Sequence, residues 1–346
     1  MVPVIDTDNK PLMPCTEKRA RLLMERGKAK PCYRKSIFCI KMLCEPSARE
    51  FQKVVVNSDP GSKREGYTVA TAKAVVLNIL TNTPNWIKDS METRHNLRRS
   101  RRSRKTPYRK CRSNRKSYRN EHRISPSTKA RWDAKINMIK SLKKILPITQ
   151  VVIEDIAAAT KPGKKKWNTS FSPLEVGKKY FDAEIRKLNL PLAKFKGYDT
   201  SEHRKMLGFS KTKKKLEDVW EAHCVDSHCL AEMFFKKNIE PYKGMYRINF
   251  LEFHRRQLHV QNFAKGGTRK SYGGTVSLGL SRGSVARYTG KSKKYNDKLY
   301  FVGGASKGMV SIHSIETGTR VSQSIKVSDL KVLHITKRRV QFLPCL

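Results

Sequence analysis

Acidic residues are scarce in this chain. Its 346 residues include 29 Asp and Glu against 74 Lys and Arg, which gives a formal net charge of +45 and a pI near 10.2. That imbalance exceeds what solubility requires and implies a polyanionic partner. Long hydrophobic runs are missing too, since no stretch approaches the roughly 18 apolar residues of a membrane span. The opening residues, MVPVIDTDNK, lack a basic segment followed by an apolar one, so no secretory signal is read there. The positive charge is not confined to one amphipathic helix, which disfavours a membrane surface as the partner. Nucleic acid is therefore expected. The eight cysteines contain no Cys-x-x-Cys pair and no even framework, so reduced thiols are expected. His223, Cys224, His228 and Cys229 cluster locally, but no second ligand pair of matching spacing supports a structural zinc there. No internal repeat and no long low-complexity segment is visible.

Hydrophobic content of 38% is low but sufficient for a core in a chain of this length. Residues 2–6 read as a strand, followed by a turn and the tetrapeptide Pro11-Leu12-Met13-Pro14. Thr16 is placed to cap a short basic helix that Gly27 ends, and strands follow at 28–33 and 37–43. Three more strands are expected near 53–58, 66–71 and 73–80. A helical pattern covers 127–146, and ITQVVIED reads as a buried strand ending in acids. Ser172-Pro173-Leu174-Glu175 has the residue types of a helix start. A second long helix is expected over 211–237. From 241 the texture changes to short, glycine-punctuated β runs, read as a small β-rich domain for which a barrel is one fitting architecture.

Between Arg94 and Arg123 there are 14 Lys or Arg and a single acid, Glu121, a local net charge of +13. Like charges at that density are often a solvated run. Here Arg dominates, aromatic residues interrupt the run, and the planar guanidinium suits bidentate phosphate contact, so nucleic-acid binding is expected.

Three acids stand out against this basic background. Asp59 follows VVVNS, Glu154 follows VVI, and Asp226 lies three residues after His223 in WEAHCVDSHCLA. A strand-end Asp is commonly a turn or cap residue, and a helical His is commonly structural. Isolated acids beside buried strands are nevertheless costly without compensation, and divalent cations with oxygen ligands supply it. Spacing places His223 and Asp226 on one helical face, where the His would transfer a proton or orient a water.

The order strand-end Asp, strand-end Glu, helical His-x-x-Asp resembles the RuvC/RNase H-like nuclease fold. DTDNKPLMPC resembles the PLMP segment of IscB-type proteins, the compact relatives of CRISPR effector nucleases. SDPGSKREG, VVIED and HCVDSHCLA resemble their three RuvC motifs, RRSRRSR their arginine-rich bridge helix, and RRQLHVQNFAKGGTRKSYGGT the start of their target-reading domain. Only 72 positions separate Glu154 from Asp226, with no His-Asn-His arrangement between them. The resemblance is therefore to the HNH-lacking IsrB branch of these OMEGA RNA-guided systems.

That resemblance implies an α/β fold, a mixed sheet with flanking helices. The domains expected from it are an N-terminal PLMP domain (1–48), RuvC-like part I (49–90), the bridge helix (91–125), RuvC-like parts II and III (126–240) and a β-rich target-adjacent-motif domain (241–346). It implies an RNA-guided endonuclease that nicks the displaced non-target strand of double-stranded DNA beside a short adjacent motif. The site would use Asp59, Glu154 and Asp226 as ligands of two Mg²⁺ ions, with Mn²⁺ as a substitute, and His223 as a further catalytic group. Within VVIED, Glu154 is preferred to Asp155 on the family pattern and on alternation. The guide RNA, of the ωRNA kind, and the DNA would be gripped by Arg94, Arg98, Arg99, Arg101, Arg102, Arg104, Lys105, Arg109, Lys110, Arg112, Arg115, Arg119, Arg255, Arg256, Arg269 and Lys270. A monomer within a prokaryotic cytoplasmic ribonucleoprotein is expected, without membrane association. The competing readings are a basic RNA-scaffold protein and a guided DNA binder that does not cut.

Overall fold

The computed structural model describes all residues except 36, 47–48, 62, 106–123, 159–171, 213–216, 251–260, 263–266, 269–275, 282, 297, 316, 335–337 and 344–346. The N-terminal unit pairs β1 (Val2–Ile5) antiparallel with β2 (Pro11–Cys15), packs the helix α1 (Glu17–Glu25), and adds the hairpin β3 (Ala29–Arg34) and β4 (Ile37–Met42), in the order β2-β1-β4-β3. Thr16 Oγ1 accepts the Arg19 amide, and Gly27 turns the chain out of α1 at φ +65°. The PLMP tetrapeptide is the body of β2. Its prolines are tolerated because β2 is an edge strand, where an amide is not required on the outer side.

The central sheet starts with an antiparallel meander, β5 (Val55–Asp59), β6 (Arg64–Ala70) and β7 (Val75–Asn82). Valine and isoleucine on both faces suit strands covered on two sides. The basic helix α2 (Ile87–Lys105) follows, then α3 (Pro126–Leu142). Next β8 (Gln150–Asp155) lies parallel to β5, and α4 (Pro173–Lys187) crosses over to β9 (Leu192–Lys196), parallel to β8. α5 (Gly197–Met206), a short α6 (Trp220–His223) and α7 (Val225–Phe235) lead to β10 (Met245–Phe250). Two-residue ladders β11 (Gln261–Asn262) with β12 (Gly267–Thr268), and β13 (Val276–Ser277) with β14 (Leu280–Ser281), precede the last sheet. That sheet holds β15 (Val285–Tyr288), β16 (Leu299–Ser306), β17 (Met309–Ser314), β18 (Arg320–Ile325) and β19 (Leu330–His334), and β20 (Arg338–Leu343) ends the fold.

Among the described residues the central sheet has the order β20-β10-β7-β6-β5-β8-β9. A meander followed by parallel strands added on the far side of its first strand is the RNase H-like arrangement, with two further strands appended beyond β7. α3 and α4 cover one face through Trp132, Ile136, Ile139, Phe181 and Ile185. α7 covers the other, with Leu230 against Val55 and Val152. Each such fully buried aliphatic side chain contributes about 1.5–3 kcal/mol over exposure.

Three sequence expectations change. In place of a long helix over 211–237, residues 209–212 and 217–219 are non-helical and the broken pair α6–α7 follows them. Phe209 turns back to pack edge-on against Trp220 and His228, at centroid distances of 5.5 and 5.8 Å. β9 and α5 occupy residues for which the sequence predicts no element. Finally, the C-terminal unit is not wholly separate. β10 pairs parallel with β7 and β20 antiparallel with β10, so the ends of the 241–346 segment extend the central sheet. Between them the five-stranded antiparallel sheet, order β18-β17-β16-β15-β19, has its own core of Tyr288, Tyr300, Val302, Val310 and Ile312. It does not close into a barrel among the described residues.

Candidate active site

β5 and β8 run parallel in the register Ser58–Ile153. One step further along puts Asp59 beside Glu154 at the same sheet end. Alternation decides which way they face: Val55 and Val152 pack under α7, so Asp59 and Glu154, an even number of residues on, face α7 as well. Asp155 falls on the opposite face and forms an ion pair with Lys178 at 2.7 Å, on α4.

Asp226, in the first turn of α7, completes the group. α7 is fixed from below by a buried polar chain. The Thr68 and Ser227 hydroxyls lie 2.8 Å apart, and Thr68 Oγ1 donates to Asn78 Oδ1 at 2.8 Å. Gly66 is needed at the crossing, because a Cβ there would lie 1.8 Å from the carbonyl oxygen of His223. Opposite Glu154, a Cβ on Gly197 would come within 2.8 Å of Glu154 Oε1. Gly66 thus lets the chain at His223 approach β6, and Gly197 leaves room for the Glu154 carboxylate.

Like charges this close cannot all be ionised without compensation. Glu154 is pushed up to about 8, first by burial, then by its hydrogen bond with Asp59 and by the charges of Asp59 and Asp226. The remaining negative charge is met by Lys211, whose Nζ contacts Asp226 Oδ2 and lies 3.6 Å from Asp59 Oδ2, and by Arg204 on Asp226 Oδ1. Burial opposes the Lys211 charge, but Asp59 and Asp226 outweigh it and raise its pKa. Beside the cluster, Glu65 forms a buried ion pair with Lys135 at 2.5 Å, tying β6 to α3.

His223 takes a different place from the one expected. A break at Cys224 separates it from the helix that carries Asp226. Its Nε2 donates to the Glu217 carbonyl at 2.9 Å, and no hydrogen bond or ion pair joins it to the three acids. Burial holds its pKa below the usual histidine value. The structure therefore brings together Asp59, Glu154 and Asp226 without His223. Sequence reasoning misses Lys211 and Arg204, because nothing distinguishes Lys211 within KTKKK and the α5 segment carries no clear helical pattern.

The donor set is all carboxylate oxygen, which fits a hard divalent cation such as Mg²⁺. The ammonium of Lys211, itself a cation, already sits against Asp226 Oδ2 and 3.6 Å from Asp59 Oδ2. Among the described residues no group of three His, Cys, Asp or Glu is arranged to hold a metal ion as it stands. The zinc reading of His223, Cys224, His228 and Cys229 gains nothing: His228 lies 3.5 Å from Glu232 in the core.

On α2, Arg98, Arg99 and Arg102 are exposed and Arg94 is partly so. Among the described residues none of the four pairs with an acid. Arg101, Arg104 and Lys105 lie on the same helix. Arg109, Lys110, Arg112, Arg115, Arg119, Arg255, Arg256, Arg269 and Lys270 fall outside the described residues.

A family model described as RRXRR protein matches residues 2–166. The match takes in the N-terminal sheet, the meander, α2 and Glu154, and stops short of Asp226. Solved structures with some likeness include RuvC of Thermus thermophilus in complex with a Holliday junction substrate, at 11% identity over 52% of this chain and 90% of that one, with a TM-score of 0.29. A second T. thermophilus RuvC structure matches at 11% identity over 51% and 90%, with a TM-score of 0.28. The yeast mitochondrial Holliday junction resolvase Ydc2 matches at 12% identity over 64% and 86%, with a TM-score of 0.28. No curated protein sequence matches the chain. The fold assignment rests on strand order and register. No helix among the described residues is long and apolar enough to cross a membrane.

Proposed function

We propose that this protein is an RNA-guided DNA endonuclease that nicks the displaced non-target strand by hydrolysing a phosphodiester. The observation that carries this reading is the convergence of Asp59, Glu154 and Asp226 at one end of an RNase H-like sheet, in a chain of net charge +45. The RRXRR match, a family associated with IscB-type proteins, agrees with it.

In this reading Asp59, Glu154 and Asp226 hold Mg²⁺, or Mn²⁺ in its place. The ions, when bound, supply charge stabilisation and an acidified water for phosphodiester hydrolysis. The chain's own contribution is placement. β5 and β8 hold two carboxylates side by side in fixed register, and the Thr68–Ser227 contact fixes the third. Glu154 must release the proton it keeps against Asp59. α2 offers the exposed guanidinium groups of Arg98, Arg99 and Arg102 to the guide and heteroduplex backbone, where base pairing carries the sequence information. His223 would act from its neighbouring position only if its ring turns from the Glu217 carbonyl.

The test is a supercoiled plasmid matching the guide, incubated with Mg²⁺ and the protein purified together with RNA from its own locus. Open circles, formed with a matching guide only, are expected. Linear product would mean a second cutting centre, and bound RNA with no cleavage would favour a guided binder or an RNA scaffold.

A further inference from the structure

The acid cluster is supplied with cations by the chain itself, from the stretch that separates β8 from α7. α5 is anchored on α7 by His203 Nε2, 3.0 Å from Glu232 Oε2. From α5, Arg204 reaches Asp226 Oδ1 and also donates to Ser201 Oγ at 3.3 Å. Past Gly208, at φ +69°, the packing of Phe209 on Trp220 and His228 turns the chain back toward the sheet end. That turn delivers Lys211 onto Asp226 Oδ2 and within 3.6 Å of Asp59 Oδ2.

We propose that Lys211, assisted by Arg204, is a built-in counter-ion that competes with the divalent cation for Asp59 and Asp226. This deepens the proposed function and rests on its reading of the three acids as ligands. An ammonium and a divalent cation drawn to the same carboxylate oxygens repel each other across a few ångströms in a poorly hydrated space. One must leave for the other to bind. While the metal is absent, Lys211 keeps Asp59 and Asp226 compensated and the sheet end folded. Its release sets the metal concentration at which the site fills. Lys211 is thus a positioning residue, acting on the ligands rather than on the phosphodiester.

The test titrates Mn²⁺ into the full-length protein, free of nucleic acid and at high salt, by calorimetry and by melting temperature. Lys211→Met is expected to tighten Mn²⁺ binding by up to about fivefold, the size of one partly screened ion pair. It should also lower the melting temperature of the metal-free protein, and Mn²⁺ should restore it. Arg204→Gln should shift both readouts the same way by less, which keeps the test available if Lys211→Met folds poorly. Lys205→Met, which removes the same charge from the exposed side of α5, should change neither. Wild-type Mn²⁺ affinity in both Lys211→Met and Arg204→Gln would overturn the counter-ion role while leaving the metal site standing. Absence of Mn²⁺ binding in every form, or binding unaffected by Asp59→Asn, would overturn the site itself and this inference with it.

Discussion

Asp226 lies with its side chain 4% exposed beneath two cationic side chains, whereas Arg98, Arg99 and Arg102 stand exposed on α2 with no acid among the described residues against them. Both regions are dense in charge, and the fold treats them in opposite ways. At the acid cluster every charge is answered and every position is fixed, by strand register, a buried Thr68–Ser227 contact and two glycines. On α2 no acid among the described residues pairs with Arg94, Arg98, Arg99 or Arg102, and the helix packs against α3. Chemistry on one phosphodiester needs atoms held to within fractions of an ångström. Gripping a polyanion needs only charge density, since each phosphate neutralised releases counterions wherever along the backbone it lies.

The sharpest way to break this comparison is to remove one of the three acids. Asp59→Ala should lower nicking on the order of a hundredfold or more, as expected for loss of transition-state charge stabilisation. RNA binding, read by gel shift, should stay unchanged. A parallel loss of RNA binding would mean that the two regions are not separable.

Next in size are changes beside the cluster. Lys135→Ala would strand Glu65 as a buried, unpaired charge and should cost about 3–5 kcal/mol in denaturant unfolding. The double variant Glu65→Gln, Lys135→Met should recover most of that. Gly66→Ala drives a methyl into the His223 carbonyl and should cost about 3 kcal/mol, with nicking lost in proportion to the displacement of α7.

Smaller effects belong to α2. Changing Arg98, Arg99, Arg101 and Arg102 together to Gln should weaken RNA binding. Its salt dependence should flatten by about one unit of slope for each phosphate that the helix no longer neutralises. Stability should hardly move. An unchanged slope would mean that this face of α2 does not meet phosphate.

A separate effect is on stability against pH. Glu154 holds its proton to about 8 when folded, against 4.5 as its ordinary value. Between those values the folded state binds more protons than the unfolded one, so this contribution is fully present below about 4.5 and is lost as pH rises through about 8. The metal-free protein should therefore weaken across that window, and Glu154→Gln should flatten the decline. A decline of the same steepness in the variant would place its origin elsewhere.

Much of the acid cluster is legible in the sequence because strands print their ends clearly. Asp59 and Glu154 each close a run of valines, and alternation distinguishes Glu154 from Asp155. Asp226 is reachable through its resemblance to a known motif. Lys211, Arg204 and the two glycines are not, because their roles come from distant packing: Phe209 turning onto Trp220, α6 crossing β6 at Gly66. The same limit explains the long helix expected over 211–237. Its apolar residues recur at roughly helical spacing, yet Trp220 and Phe209 belong to one small cluster that requires a turn between them. β10 and β20 read correctly as β, but strand runs do not say which sheet they join.

The most direct test of a single acid-lined cutting centre is strand-resolved mapping. A guide-matched duplex carrying a different label on each strand is incubated with the ribonucleoprotein and Mg²⁺. One cut, confined to the non-target strand and abolished by Asp226→Ala while the gel-shifted complex persists, is the predicted result. Cuts on both strands, or a cut that survives Asp226→Ala, would contradict it.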